Sequence, residues 1–536
     1  MSHSRLFDAV LRAMRLGRIC HETGITARSA IQRRNEAEEE AKRRFERRAF
    51  LGGIAAMGAS AAAGLALPRA YAQGNPPSSA RVAIIGGGLA GMTCADRLRE
   101  KGVQAVIYEA NTTRLGGRVY SNRLFPGMTA ENGGELIDNG HKTLLHYANE
   151  FNLAREDLGK QPGEIVYYFF GQHYSEAEVV DEFRELVGRM HHDLQLLSGA
   201  PTFYDHTDND VAFDQMSLAD YLDLYSSDLP LARSALEQAY IAEYGREISE
   251  QSCLNFLFFI GMNRRSSFEP FGGSDERYHL VNGNDGIIAG IASRLPGPVV
   301  MGTRLTRLRR TAEGRYAMTF SGFSAEEFAD GLVIAIPFSV LRNVVLDPSL
   351  GLSSDKLRAI NELGYGYNAK TMIGFNSRPW RNAYGSNGTA YTDLANAQNT
   401  WETNPSATHA LAILTDYSGG ARGEALQLAV GGVPGSCGSC HIGAPSAKVI
   451  NDTLIQGQVD AFLTDLDVIY PGAKAAATRT ADGKYAAHRA HWLSQNTSRG
   501  SYTCYLPGQF TTIAGLESEP AGRLKFAGEH SDSFYM

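Results

Sequence analysis

Two short apolar runs stand out against the polar positions around them. Val82–Ile85 and Ala105–Tyr108 are continuous apolar tetrads, the pattern of strands buried on both faces of a parallel sheet. Between them lie a glycine-rich turn and a stretch with apolar positions at Ala95 and Leu98 before Lys101, which predicts a helix. Strand, tight turn, helix and strand in this order open a βαβ unit. Near the other end, Leu524–Ala527 reads as a further buried strand that runs into Gly528 and Glu529. No stretch of eighteen or more strongly apolar residues occurs, so no membrane span is expected. There are no internal repeats.

The turn carries chemistry. Gly86, Gly88 and Gly91 have the G-x-G-x-x-G spacing: a tight turn, a close backbone approach to a pyrophosphate, and close packing of the helix on the sheet. The helix N-terminus then faces the phosphates. Glu109, followed by Ala110, ends the second strand, where a carboxylate accepts hydrogen bonds from ribose hydroxyls. These elements in register predict a dinucleotide site. With 536 residues, 43% hydrophobic and 20% charged, the chain is long enough for two to four domain-sized units. The net charge is −7 although the first fifty residues are basic, so the remainder is acidic and nucleic acid is not an expected partner.

Downstream, "LGGRVYSNRL" and "ENGGELID" resemble the second and third signatures of flavin-dependent amine oxidases. In them Gly116, Gly117, Gly133 and Gly134 let backbone approach a flat ligand, and Arg118 offers charge to phosphate. The resemblance covers nearly all of the chain after the N-terminal region. It implies an α/β fold, with a Rossmann-like FAD-binding domain (81–153, 280–362 and 485–536) interleaved with a substrate domain of mixed sheet plus helices (154–279 and 363–484). It further implies cofactor contacts from Gly86, Gly88, Gly91, Glu109, Ala110, Gly117, Arg118, Gly134, Glu135, Leu136, Leu305, Trp492, Gly528 and Glu529. "LGYGYNAKTMIGF" matches the family segment that ends in a lysine holding a water against flavin N5, here Lys370. Tyr502 matches one wall of the aromatic cage that guides an uncharged amine. Some relatives carry a flavin-linked cysteine just before that tyrosine; Ser501 stands there, so FAD is expected to be bound non-covalently.

The implied reaction oxidises an amine to an imine, which water hydrolyses, with dioxygen or a periplasmic carrier as electron acceptor. Leu136 occupies the position at which venom-type amino-acid oxidases place a carboxylate-clamping arginine, which favours a plain amine over an amino acid. Glu135 and Asp138 are placed as loop carboxylates that could attract a second ammonium but are more simply solvated. An L-amino-acid oxidase, an amine dehydrogenase, a non-catalytic flavoprotein and a desaturase-like enzyme share the fold and remain alternatives. Oligomeric state is left open.

At the N-terminus, Arg47-Arg48, an Ala/Gly-rich run and Ala70-Tyr71-Ala72 resemble a twin-arginine export signal, followed by a linker over 73–80. Residues 1–72 are therefore expected to form a cleaved leader that takes Cys20 with it, leaving a periplasmic or secreted protein that engages the twin-arginine machinery. Cys437–His441 spells the C-x-x-C-H of haem attachment, but too little sequence surrounds it for a cytochrome domain, so a local disulfide or free thiols are expected. The histidine pairs lack metal-ligand spacing and no metal is expected. The chain stops after Tyr535-Met536, where the family continues with a helix whose N-terminus faces the flavin; a truncated form with weakened FAD retention is the expectation, with Tyr535 as a second cage wall.

Overall fold

The computed structural model describes residues 5–37 and 81–531, apart from 124, 126, 159–162, 199, 263–275, 404, 406–410 and 427–452. Arg47-Arg48, Ala70–Ala72, the linker, Cys437–His441, Tyr535 and Met536 lie outside the described residues.

The apolar tetrads form the strands expected of them. Val82–Ile85 is the central strand of a five-stranded sheet whose order is Leu524–Phe526, Gly331–Ile334, Val82–Ile85, Ala105–Tyr108, Val299–Val300. All four pairings are parallel. Parallel strands must be covered on both faces. One cover is built by Met92 and Ala95 of the helix Leu89–Glu100 together with Tyr147, Ile287, Ile288 and Ile291, packed on Ile84 and Ile107. A four-stranded sheet that contains Leu305–Arg310 lies beside this unit in the chain's middle third.

A seven-stranded sheet built mainly from the segments expected as the substrate domain, the substrate sheet, runs in the order Ala487–His491, Ala369–Phe375, Ala412–Ser418, Asn399–Glu402, Ser386–Thr392, Glu164–Phe169, Gln172–Tyr174. Ala369–Phe375 is buried at every position, because it is flanked by strands on both edges and covered on both faces. Ala487–His491, which falls in the segment 485–536 expected for the FAD-binding domain, pairs antiparallel with Ala369–Phe375 of this sheet.

The largest departure from expectation is at the N-terminus. Residues 5–37 form two helices, Arg5–Thr23 and 27–37, that belong to the folded body. Val10, Ala13, Met14, Leu16 and Cys20 are buried in the same core as Val179, Phe183, Leu186 and Met190 of the helix Glu176–Leu196. That partner helix starts at a capping box, in which Ser175 and Glu178 satisfy each other's backbone amides. Gly17 allows the close crossing: a Cβ there would lie 2.5 Å from the Arg184 amide nitrogen. Arg34 closes the far end with an ion pair to Glu176 at 2.6 Å. The leader expected over residues 1–72 is thus not uniform, and Cys20, expected to leave with it, is a core residue.

Candidate active site

The first turn is shaped by what its glycines exclude. Gly86 has φ +108°, and a Cβ there would meet the Ala335 carbonyl oxygen at 2.5 Å. At Gly91 a Cβ would sit 2.0 Å from the Gly86 carbonyl oxygen, so this glycine serves the packing of helix on turn. Glu109 stiffens the same turn. One carboxylate oxygen accepts from the Gly87 amide at 2.7 Å and the other from the Asn111 amide at 2.7 Å.

A cavity of about 680 Å³ opens from this turn and runs to the substrate sheet. Its cradle end is lined by Gly86, Gly88, Glu109, Ala110, Gly117, Arg118, Leu305, Gly528 and Glu529, and its far end by Gly134, Glu135, Leu136, Lys370, Trp492 and Tyr502. The expected cofactor contacts, Lys370 and Tyr502 line it, except Gly91, which acts from behind; Asp138 is not in the lining. The residues fit a dinucleotide. A Cβ added at Gly134 would meet nothing within 4 Å and one at Gly88 only the Gly117 Cα at 3.8 Å, so side chains at these positions would occupy the space left for a ligand.

Arg118 and Glu529, from opposite ends of the chain, pair at 2.9 Å, and Arg118 also donates to the Ser501 carbonyl at 2.6 Å. Burial pushes the Glu529 carboxyl up, but the Arg118 guanidinium, His530 and the hydrogen bonds from Arg118 and Thr503 together hold the group below the usual carboxylate range. Its second oxygen accepts from the Thr503 hydroxyl at 2.9 Å. Trp492 is fixed by its indole N–H donating to the Asn132 carbonyl at 3.0 Å. His530, 2% exposed on the cavity wall, has no hydrogen-bond partner on either ring nitrogen among the described residues, and burial lowers its pKa to about 4.

At the far end, Lys370 is buried, 6% exposed, and its ammonium donates to Glu135 Oε2 at 2.8 Å, the Gly133 carbonyl at 2.9 Å and the Glu131 carbonyl at 3.4 Å. Glu135 was expected as a solvated loop carboxylate. It is 4% exposed, because the Gly133-Gly134 turn carries it under the substrate sheet. The neighbouring Glu131 is buried with both oxygens on the Ser121 hydroxyl, and burial raises its pKa to about 8.

Two further residues of this end were not singled out from sequence. Trp401 donates its indole N–H to Glu135 Oε1 at 3.0 Å, and Tyr417 packs edge-on to Trp401 at 5.4 Å between ring centroids. Tyr417 is the direct cross-strand partner of Lys370. Its hydroxyl lies 2.6 Å from that of Tyr502, which donates onward to the Ala242 carbonyl at 3.1 Å. Trp401, Tyr417 and Tyr502 therefore wall one compartment around the lysine. Burial holds the Tyr417 and Tyr502 phenols well above their ordinary value; at Tyr417 the negative charges of Glu243, Glu276 and Glu135 add to it. Glu276 is 3% exposed and lines the same cavity. Among the described residues no group of three or more His, Cys, Asp or Glu side chains is placed to hold a metal ion.

The chain is similar to known proteins over most of its length. Pseudooxynicotine dehydrogenase of a Pseudomonas sp is 22% identical over 522 residues, covering 92% of this chain and 92% of its own. Flavin-dependent L-tryptophan oxidase RebO of Lentzea aerocolonigenes is 25% identical over 489 residues, covering 84% and 93%. Among solved structures, cyclohexylamine oxidase from Brevibacterium oxydans IH-35A superposes with a TM-score of 0.67 at 18% identity, covering 85% of this chain and 94% of its own. The pattern of flavin containing amine oxidoreductases matches residues 89–535, from the helix behind the glycine turn to beyond Glu529, and the chain belongs to that family of flavin-dependent enzymes.

Proposed function

We propose that this enzyme oxidises a primary or secondary amine to an imine, using non-covalently held FAD and returning the electrons to dioxygen as hydrogen peroxide. The observation that carries the reading is the continuity of one cavity from the glycine cradle to the compartment walled by Trp401, Tyr417 and Tyr502 beside Lys370. Bound flavin would supply the two-electron acceptor, so the protein has to bind, orient and exclude water. Gly86, Gly88, Gly117 and Glu109 would hold the dinucleotide, and the aromatic walls would hold the amine against the ring face. Ser501, on the cavity wall with its hydroxyl on Asn368 Oδ1 at 2.6 Å, offers no thiol for a flavin bond and supports non-covalent attachment.

The charge of the compartment supports an amine. Glu135, Glu243 and Glu276 surround it, whereas the described arginines on the cavity wall are engaged elsewhere: Arg118 by Glu529, Arg304 by the Asn496 carbonyl, Arg114 over the Tyr120 ring. The Lys370 ammonium is paired with Glu135, so a substrate carboxylate would meet Leu136 and the acids Glu243 and Glu276, surroundings that favour an amine. Anaerobic titration of the holoenzyme with cyclohexylamine, putrescine, pseudooxynicotine and L-tryptophan tests this directly. Bleaching of the oxidised flavin band by an amine but not by L-tryptophan is expected; bleaching by L-tryptophan alone would replace the reading with an amino-acid oxidase. Peroxide yield on readmitting air separates dioxygen from a protein carrier as acceptor.

The proposal extends to export through Arg47-Arg48, with a mature N-terminus near Gln73. Cleavage there would leave residues 5–37 attached through non-covalent contacts alone. N-terminal sequencing of periplasmic protein tests this, and an uncut chain beginning at Met1 would remove it.

A further inference from the structure

We propose that Glu135 is a positioning residue that sets two groups of the active site at once, the Lys370 ammonium and the Trp401 indole. The inference rests on the amine-oxidising reading for the role of Lys370. Glu135 comes from the cofactor half, immediately after the Gly133-Gly134 turn, whereas Lys370 and Trp401 come from two strands of the substrate sheet separated by Ala412–Ser418. Its two oxygens are divided: Oε2 accepts from Lys370 at 2.8 Å and Oε1 from Trp401 at 3.0 Å. With all three groups buried, neither bond is shared with bulk water.

The lysine geometry shows what this fixing achieves. Two of the three ammonium hydrogens are committed at short distances, to Glu135 and to the Gly133 carbonyl, and the third reaches the Glu131 carbonyl only at 3.4 Å. An interaction that long is weak and exchangeable. One N–H direction is therefore left for a water or a reacting group, and the other two hold the nitrogen still. The ammonium also lies 5.3 Å from the Trp401 ring centroid and 5.9 Å from that of Tyr417, so the carboxylate that places it also places it against the cage walls. A carboxylate is needed because an amide in the same place offers one acceptor oxygen and no charge. A passive latch between the two halves would need the contact but not the charge, and the two roles are separable.

The test uses holoenzyme of wild type, Glu135→Gln, Glu135→Leu, Lys370→Met and the double variant Glu135→Gln/Lys370→Met. Flavin reoxidation is followed after dithionite reduction and mixing with air-saturated buffer, which needs no amine, and flavin reduction is followed with an amine from the panel above. The double variant removes both charges and so stays foldable where the single one loses its compensation. Glu135→Gln is expected to slow the half-reaction that depends on Lys370 at least tenfold and to move the alkaline limb of its pH profile to lower pH. The double variant should be no slower than Lys370→Met alone. Glu135→Gln keeps an acceptor for Trp401, so its apparent Kd for the amine should change less than that of Glu135→Leu. A double variant slower than Lys370→Met by the full Glu135→Gln factor would show that Glu135 does not act through the lysine. Lys370→Met with both half-reactions unchanged would instead remove the lysine from the proposed mechanism, and this role with it.

Discussion

Substituting Gly17 with leucine separates a dispensable leader from a structural part of the enzyme. The Gly17 Cα faces the backbone of the helix Glu176–Leu196, and a Cβ would stand 2.5 Å from the Arg184 nitrogen and 2.7 Å from the Phe183 carbonyl carbon. Both obstacles are backbone, so no rotamer change relieves them and the helices must part by about 1 Å. Overpacking of this kind costs about 1–3 kcal/mol. Parting the helices also forfeits a quarter to a half of the contact energy along the stripe Val10, Ala13, Met14 and Leu16, roughly another 1–2 kcal/mol. Leucine returns about 1 kcal/mol through helix propensity. The net is about 1–4 kcal/mol. With an unfolding entropy of roughly 2.1 cal/mol/K per residue, this lowers Tm by about 1–4 °C. Differential scanning fluorimetry of purified full-length protein measures it, and limited proteolysis should show faster cutting before residue 37. Gly457→Ala is the control: that glycine is helical with nothing within 4 Å of a new Cβ, so its Tm should hold or rise. If Gly17→Leu left both Tm and cleavage at wild-type values, the helices would not be part of the cooperative body and the packing argument would fail.

Gly134→Val is expected to fold normally and to lose flavin, because its side chain would enter the cavity without touching protein; FAD per chain by absorbance should fall at least tenfold while the far-ultraviolet dichroism stays unchanged. Acid should destabilise the protein between pH 6.5 and 4. Burial lowers His491 and His530 to about 4, and outweighs the Gly423 carbonyl that accepts from His491 Nε2, while the Ser494 amide donating to Nδ1 suits the neutral ring. The unfolded chain then binds more protons than the folded one in that window, so stability falls as pH falls, by up to about 3 kcal/mol per histidine. Denaturant midpoints at pH 7 and 5 measure this, and His491→Gln should flatten the slope; an unchanged slope would show that His491 does not contribute.

The parts of the fold that were legible in sequence are those specified locally. Val82–Ile85 and Ala105–Tyr108 are recognisable because a strand buried on both faces must be apolar throughout, and Gly86 because its turn demands φ > 0. Glu135 was misjudged because its burial and its partners come from residues 235 and 266 positions away, which no local pattern records. Trp401 and Tyr417 were missed for the same reason: they become site residues only when three antiparallel strands align Lys370 opposite Tyr417. The packing of the N-terminal helix into the core was not foreseen for a different reason. Val10, Ala13, Met14 and Gly17 are spaced i, i+3, i+4, i+7, a readable apolar stripe, but the basic residues between them and the export-like segment beyond drew the reading toward a disposable leader.

The order of strands in the parallel sheet has a consequence for how the enzyme is made. Its edge strand, Leu524–Phe526, and the Gly528-Glu529 wall of the cavity are translated about 440 residues after Gly86. At about 5–20 residues per second, the ribosome needs roughly 20–90 s to travel that distance. Throughout that interval Gly331–Ile334, once made, presents an unpaired edge, and the cradle lacks the acid that pairs with Arg118. Cofactor capture is thereby deferred until Glu529 has been made. Until Leu524–Phe526 is made, the nascent chain carries an open strand edge, the form most exposed to chaperones and to aggregation.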